Sequence, residues 1–448
     1  MRGSESGSVL IIVLWVAFGL VSLALYFGNA MSMEMRASDN RLAGLEAEHA
    51  LAGGARYVSY ILANNEEPGR MPDLTTYASD AVRVGESHFW LIGRAEQAGT
   101  YTDPYFSLVD ECSKLNLNTA SQSMLEALPR MTPELAAAIK DWRDTDSDVT
   151  EGGAESDVYL RLKPAYNCKN APFETVDELR LVNGATLEIL YGEDTNLNGI
   201  LDLNENDADA SPPFDNRDGR LDPGLLEYVT VYSRQPNTRT NGSPRINITT
   251  ANPQGLQELL QEKFNSDRAN QIMAKVRGGG GGGGGGGAQV ASVIEFYMKS
   301  GMTADEFAQI ETEVTASTGP YAEGLVNVNT ASEAVLACIP GIGTDKAASV
   351  VAYRQANAGQ LTSMAWIVEA LGQEGATQAG RYITGQSYQF SADIAALGHY
   401  GRGYRRTRFV FDTSEGTPKI ISRQDLSHMG WALGTQVRQQ QLLARNTR

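Results

Sequence analysis

The sequence predicts an α+β fold: one long N-terminal helix, helical segments built on a repeated strand-to-helix phrase, and C-terminal strands. Three observations predict it. Residues 9–27 (VLIIVLWVAFGLVSLALYF) are almost wholly apolar, and no proline interrupts the chain before Pro68. A strand-to-helix phrase occurs three times, at 114–129, 245–260 and 325–340. Near the C-terminus, apolar and polar residues alternate with period two, the pattern of half-buried strands.

With 448 residues, 42% of them apolar and 20% charged, the chain is long enough for two or three domains and too apolar for wholesale disorder. A net charge of -17 repels phosphate, so nucleic acid is disfavoured as a partner. The 3 cysteines (Cys112, Cys168, Cys338) are too few for a disulfide framework; Cys112 and Cys168 could pair in an oxidising compartment or stay as small core residues. None of the 4 histidines stands at HExxH spacing and no GxSxG elbow occurs, so no covalent chemistry is expected.

The apolar run is long enough to cross a bilayer as a helix. Three readings compete for it: a signal anchor, a signal peptide cut after Ala30, and a pilin-type leader cut between Gly7 and Ser8 that leaves the helix on the mature protein. The third gains from the residues beyond the run. Leu42, Leu45, Ala52, Ala55, Val58 and Leu62 recur at helical spacing, with Glu34, Arg36, Asp39, Arg41 and Arg56 between or ahead of them. A continuous helix over 9–62 would be about 80 Å long, with Gly44, Gly53 and Gly54 as places to bend. Such a helix resembles the stem of a type IV pilin or pseudopilin. Most pilins carry a glutamate five residues after the cut; Ile12 stands there in this chain, which suits a subunit at a filament end better than a repeating one.

In the repeats, Thr119 with Gln122 and Thr330 with Glu333 fit capping boxes at helix starts. The first and third copies stay in register through Arg143 and Arg354. The third carries PGIG (340–343) before an alanine-rich segment and resembles a helix-hairpin-helix unit, in which glycines let backbone N–H groups approach phosphate. A DNA-binding reading and a plain packing unit both remain open, the former weakened by Glu333 and Asp345 beside Lys346 and Arg354, and by the missing hairpin glycines in the other copies.

The leader, the LNLN phrase, and the segments 141–159 (DWRDTDSDVTEGGAESDVY) and 168–185 (CKNAPFETVDELRLVNGA) together resemble the K-type minor pseudopilins of type II secretion systems. The resemblance implies a pilin-like stem and antiparallel sheet with a large inserted helical domain, and a single-pass protein of the bacterial inner membrane with its C-terminal region periplasmic. It implies a prepilin peptidase acting at Gly7–Ser8, a methylated new N-terminus, and incorporation into the pseudopilus. Implied partners are other minor pseudopilins and the major pseudopilin through the stem, the inner-membrane assembly platform, and secreted substrates. The role implied is to cap or initiate the pseudopilus; the alternative is a membrane-anchored DNA-binding protein of the DNA-uptake type.

The segment 194–205 (DTNLNGILDLNE) fits a twelve-residue calcium loop: Asp194, Asn196, Asn198 and Asp202 at positions one, three, five and nine, the Ile200 carbonyl, Gly199 at the turn, and Glu205 as the closing carboxylate. No long helix precedes it, so a bare loop is expected. Asp144, Asp146, Asp148 and Glu155 keep positions one, three, five and twelve but have Val149 in place of glycine; the family resemblance, which implies calcium in the helical domain, adds weight to them. A third cluster, Asp215, Asp218 and Asp222, is interrupted by arginines and reads as a solvated turn. Calcium is expected in a structural role.

Residues 278–287 are ten consecutive glycines, read as a flexible linker, and 288–310 as helical. Beyond the third repeat, strands are joined by a turn at Glu415-Gly416, and Arg402, Arg405, Arg406 and Arg408 read as a solvated basic face, or else a docking patch. The expected divisions are a leader (1–7), the transmembrane and stem helix (8–64), the first part of the pilin-like domain (65–113), the inserted helical domain (114–324), the hairpin unit (325–379) and the C-terminal strands and tail (380–448).

Overall fold

The computed structural model describes residues 6–95, 104–208, 210–239, 241–250, 254–278, 290–361 and 363–446. Most of the leader, and the glycine run beyond Gly278, lie outside them.

A single α-helix, Ser6–Ala63, runs 58 residues without a break, and its glycines do not kink it. Its first half, at 9–38, is exposed along its whole described length and is apolar enough to cross a membrane, with a mean hydropathy of 2.7. The second half is the stem proper and packs on a sheet. The buried face is Ala43, Ala47, Ala50, Leu51, Ala55, Val58 and Leu62, whereas Leu42 and Leu45 are more than half exposed and Ala52 is exposed as well. The face expected from sequence is therefore rotated where the stem first meets the sheet. Small residues, not the bulky ones, face the strands there, because they let a helix approach closely. At Gly54 an added Cβ would sit 3.1 Å from Ile394 and 3.2 Å from Phe89.

The sheet consists of β1 (Val82–Val84), β2 (Ser87–Ile92), β3 (Val109–Asp110), β4 (Gln389–Leu397), β5 (Arg405–Asp412) and β6 (Lys419–Asp425). The order is β1-β2-β4-β5-β6, all antiparallel, with β3 following β2 along the same edge of β4. The alternating C-terminal residues supply β4, β5 and β6, the last two joined across the expected turn at Glu415-Gly416. Period-two alternation sends Phe390, Ala392, Ile394 and Ala396 of β4 toward the stem, with Phe89, Leu91, Phe409 and Phe411 beside them. Burying each large side chain of this set contributes about 1.5–3 kcal/mol.

The β4–β5 connection grips the stem beside this core. His399 Nδ1 lies 2.6 Å from Glu46 Oε2, His399 Nε2 lies 2.9 Å from Asp39 Oδ1, and Arg402 pairs with Asp39. The backbone N–H of His399 donates to Glu46, the chief reason that carboxyl is held below its usual range. His399→Leu should leave the head folded while speeding amide hydrogen exchange across residues 39–46; unchanged exchange there would mean the clamp contributes nothing.

The helical insertion is spliced between β3 and β4, two strands that pair with each other (Asp110 with Phe390, Val109 with Ser391), so its two ends meet and the sheet is undisturbed. Inside it the three phrases form one repeated device. Each opening strand pairs in parallel with a closing strand: Leu115–Asn116 with Val229–Thr230, Ile246–Asn247 with Val314–Thr315, and Val326–Asn327 with Ile383–Thr384. In every copy the asparagine side chain accepts from the N–H two residues on (Asn118, Thr249, Asn329), and the closing threonine does likewise (Tyr232, Ser317, Gln386). The second copy, which lacks the Pro-Gly pair, keeps the same turn chemistry. The helices after the first and third copies, Gln122–Glu126 and Glu333–Ala337, are capped by Ser121 and Ser332, two residues past the threonines expected from sequence. Arg143 reaches the carbonyls of Leu117 and Ala120, and Arg354 those of Val328 and Ala331, which explains the shared register. Residues 288–310 give two short helices, Val293–Ser300 and Ala304–Ala308. All three cysteines are buried and unbonded to one another.

Candidate functional site

The loop at 194–205 follows a five-residue helix, Leu187–Tyr191, ended by Gly192, and leaves through a single 3-10 turn, Leu203–Glu205. It is a bare loop. Its oxygens are organised from within. Asp194 accepts from the N–H groups of Asn198 (2.9 Å) and Gly199 (2.9 Å), Asn196 from Asn198 (3.0 Å), and Asn198 from Ile200 (2.9 Å). Gly199 turns the chain at φ 75°. Glu205 spreads its two oxygens between the N–H groups of Thr195 and Asp202, each at 3.1 Å, and Asp202 accepts from the side-chain amides of Asn196 and Asn198. Asp194, Glu205 and Ile200 are buried. Burial, reinforced by the Asp194 charge, pushes the Glu205 carboxyl up to about 8; burial also raises Asp194. Two acidic groups so destabilised as anions are suited to a cation.

The back of this loop is fastened to the sheet. Arg406, fully buried on β5, donates to the Asn196 and Leu197 carbonyls, and Arg94 donates to Leu197. Asp393 on β4 neutralises Arg406 and reaches Arg408, while Glu227 holds Arg94. The basic group read from sequence as a solvated face or docking patch is thus mostly internal: Arg406 and Arg408 pair with Asp393, Arg402 with the stem, and Arg405 alone of the four is fully exposed.

The Asp144 segment folds differently from the expected loop. Asp144 ends the helix Pro133–Arg143. Asp146 and Asp148 are exposed, the Asp148 N–H donates to Asp146, and Val149 is exposed where a calcium loop needs glycine to turn. Two residues that sequence reasoning missed take their place. Asp141, fully buried, lies one helical turn before Asp144, and Asn170 arrives from 26 residues beyond it. Glu155 is 4% exposed, and neither of its carboxylate oxygens makes a well-formed hydrogen bond, although the Ser156 N–H and the Asn170 side chain lie close enough to temper its raised pKa. Asp144 Oδ1 and Asn170 Oδ1 are likewise buried without a partner. Burial raises the pKa of both Asp144 and Glu155; Asp146 and Asp141 add to it at Asp144, Asp141 and Asp144 at Glu155. Orphaned buried oxygens are costly and rare, and an oxygen-only donor set of this kind fits a hard cation. Among the described residues no three His, Cys, Asp or Glu side chains are close enough to hold one ion by themselves. Amide and carbonyl oxygens must complete either site.

The third acidic cluster is not solvated as expected at its first member. Asp215 is buried and accepts from Ala208 and Arg217 N–H groups, while Asp222 is paired with Arg130 and Asp218 caps its own turn.

In the hairpin unit, Ile342 and Gly343 N–H groups already donate to Ile339 O at 3.0 and 3.1 Å. Gly341 has φ 87°, and a Cβ there would lie 2.6 Å from Gly375 O. Gly341 serves packing against the helix Trp366–Ala379, whereas a Cβ at Gly343 would meet nothing. Gly341→Ala should destabilise the protein by about 1–3 kcal/mol, read by thermal melting; an unchanged melting temperature would remove the packing role. At the other end of the chain, Gly7 and Ser8 lie in the first turns of the long helix, and Ile12 is an exposed apolar residue.

A family model described as type II secretion system (T2SS), protein K, matches residues 113–191, and one for the helix-hairpin-helix motif matches 322–372. Type II secretion system protein K of Klebsiella pneumoniae is 41% identical over 56 residues, 12% of this chain and 17% of the relative. That of Pectobacterium carotovorum subsp. carotovorum is 24% identical over 195 residues, 41% of this chain and 60% of the relative. That of Pseudomonas aeruginosa is 27% identical over 197 residues, 41% and 58% respectively. The matches thus span 60% or less of these relatives' lengths. Among solved structures, a chain of the GspK-GspI-GspJ complex from the enterotoxigenic Escherichia coli type 2 secretion system aligns over 90% of this chain and 98% of its own length, at 11% identity and a TM-score of 0.36. The protein K match falls on the segment that carries Asp141, Asp144, Glu155 and Asn170, and over that region the chain is similar to type II secretion system protein K.

Proposed function

We propose that this protein is a minor pseudopilin that caps or initiates the periplasmic pseudopilus of a type II secretion system, anchored in the inner membrane before incorporation. The observation that carries the reading is the single helix Ser6–Ala63: apolar and uncovered in its first half, seated on a sheet by one small-residue face in its second. That division leaves the first half, continued by the exposed Leu42 and Leu45, free for lateral packing with other stems. Its partners would be other minor pseudopilins, the major pseudopilin, the assembly platform and secreted substrates. A filament-end position is supported by Ile12, which offers no carboxylate to a neighbour's amine, and by the bulk of the insertion beside β3 and β4, which would crowd a repeating shaft.

Prepilin peptidase would act between Gly7 and Ser8. N-terminal sequencing of the protein recovered from membranes should therefore begin at a methylated Ser8. A start at Met31 would sink the pilin reading.

Calcium is proposed as a structural cofactor at two places: Asp194, Asn196, Asn198, Ile200, Asp202 and Glu205 in the first, and Asp144, Glu155 and Asn170, supported by Asp141, in the second. Bound there, the ion would supply positive charge that lets these buried oxygens remain ionised. The DNA-uptake alternative is disfavoured by the spent hairpin amides and the acidic net charge. Salt-sensitive retardation of duplex DNA, lost on Gly341→Ala, would revive it.

A further inference from the structure

Within the insertion, the second and third repeats flank a partly open cavity of about 330 Å³ between the closing strands Val314–Thr315 and Ile383–Thr384. Among the charged side chains that line it, Arg245 and Glu311 carry opposite charges and form no ion pair with each other, while Glu323 and Arg381, also in the lining, are exposed. Arg245 is 7% exposed; its Nη2 donates to Gln386 Oε1 and Tyr388 OH, each at 3.0 Å, and its Nε has no partner. Glu311 receives two long hydrogen bonds from Met364 N–H, both 3.3 Å, and lies within electrostatic reach of Arg70 and Arg245. Gln386 fixes the guanidinium rather than satisfying the cavity, since its Oε1 also accepts from Gln235 at 2.8 Å. Val293, Val314, Leu325, Met364 and Ile383 supply an apolar wall.

A buried guanidinium with a free donor and a weakly held carboxyl, kept apart across an apolar space, are complementary to a molecule that carries both opposite charges. We propose that this cavity binds a small apolar zwitterion of amino-acid or dipeptide size, its carboxylate on Arg245 and its ammonium on Glu311. Burial pushes the Glu311 carboxyl up to about 7, so near neutral pH it gains its charge readily when an ammonium arrives. A chain terminus of another protein offers only one of the two charges and leaves the other buried group unanswered.

The test is calorimetric titration of the full chain in detergent micelles with L-leucine and leucyl-alanine, against N-acetyl-leucine and leucinamide. Saturable binding by at least one of the free zwitterions is expected, with each capped compound weaker by about tenfold or more. Glu311→Gln should weaken the zwitterion by about tenfold, and Arg245→Met should abolish it. No saturable heat at millimolar ligand would overturn the proposal, as would equal binding of capped and free compounds. Retained N-acetyl-leucine with lost leucinamide would overturn it in favour of a carboxylate-only ligand. Should Arg245→Met fail to fold, Glu311→Gln and the capped compounds still decide the matter.

Discussion

Removing calcium with a chelator should lower the melting temperature by about 5–10 °C. An ion at about 100 times its dissociation constant stabilises by about 2.7 kcal/mol, and each kcal/mol moves a domain of this size by about 2–4 °C. The two proposed sites separate by mutation. Glu155→Gln should remove much of the calcium response, because both oxygens of Glu155 are buried without a well-formed hydrogen bond. Asp194→Asn should remove less, since Asp194 already accepts two backbone N–H bonds and the arginines hold the loop from behind. Equal melting in calcium and chelator for the unmutated protein would eliminate calcium from both places.

Asp393→Ala should cost about 3–5 kcal/mol, the range for stripping one partner from a buried ion pair, and lower the melting temperature by about 6–20 °C. Arg406 would be left fully buried, still holding the Asn196 and Leu197 carbonyls but with no counter-charge. Despite its burial, Asp393 is held below the usual carboxylate range by Arg406 and Arg408. A carboxyl depressed in the folded state stabilises fully above its unfolded value near about 3.9 and loses that contribution as pH falls through the folded value. The unmutated protein should therefore show an acid-side loss of stability below about pH 4 that Asp393→Ala lacks. The same acid limb in both proteins would show that the pair is not the cause.

What could be read from the sequence was local. The loop 194–205 carries all its candidate donor oxygens within twelve residues, so spacing alone placed Asp194 and Glu205 on one ring of backbone donors. The repeats were legible because the same asparagine and threonine recur in each. The stem was legible as a helix, and its buried face was legible at Ala55, Val58 and Leu62; nearer its start, hydrophobic bulk pointed to Leu42 and Leu45, while close approach to the sheet selects Ala43 and Ala47. Asn170 meets Glu155 and the Asp146 carbonyl only through tertiary folding, and no periodicity announces it. Arg406 looked like surface charge because its partner Asp393 lies on the neighbouring strand, opposite Arg408 in the register.

The way the stem lies along the sheet also decides how the molecule bears load. A pull on its membrane end runs parallel to the contact between residues 43 and 62 and the strands, so it strains every turn of that contact at once, in shear, with no single edge from which to peel. The grip at Asp39 and Glu46 sits where the rod first meets the head and would take the onset of any sideways wrench. Such a joint resists a tug along the helix axis far better than a bend away from the sheet.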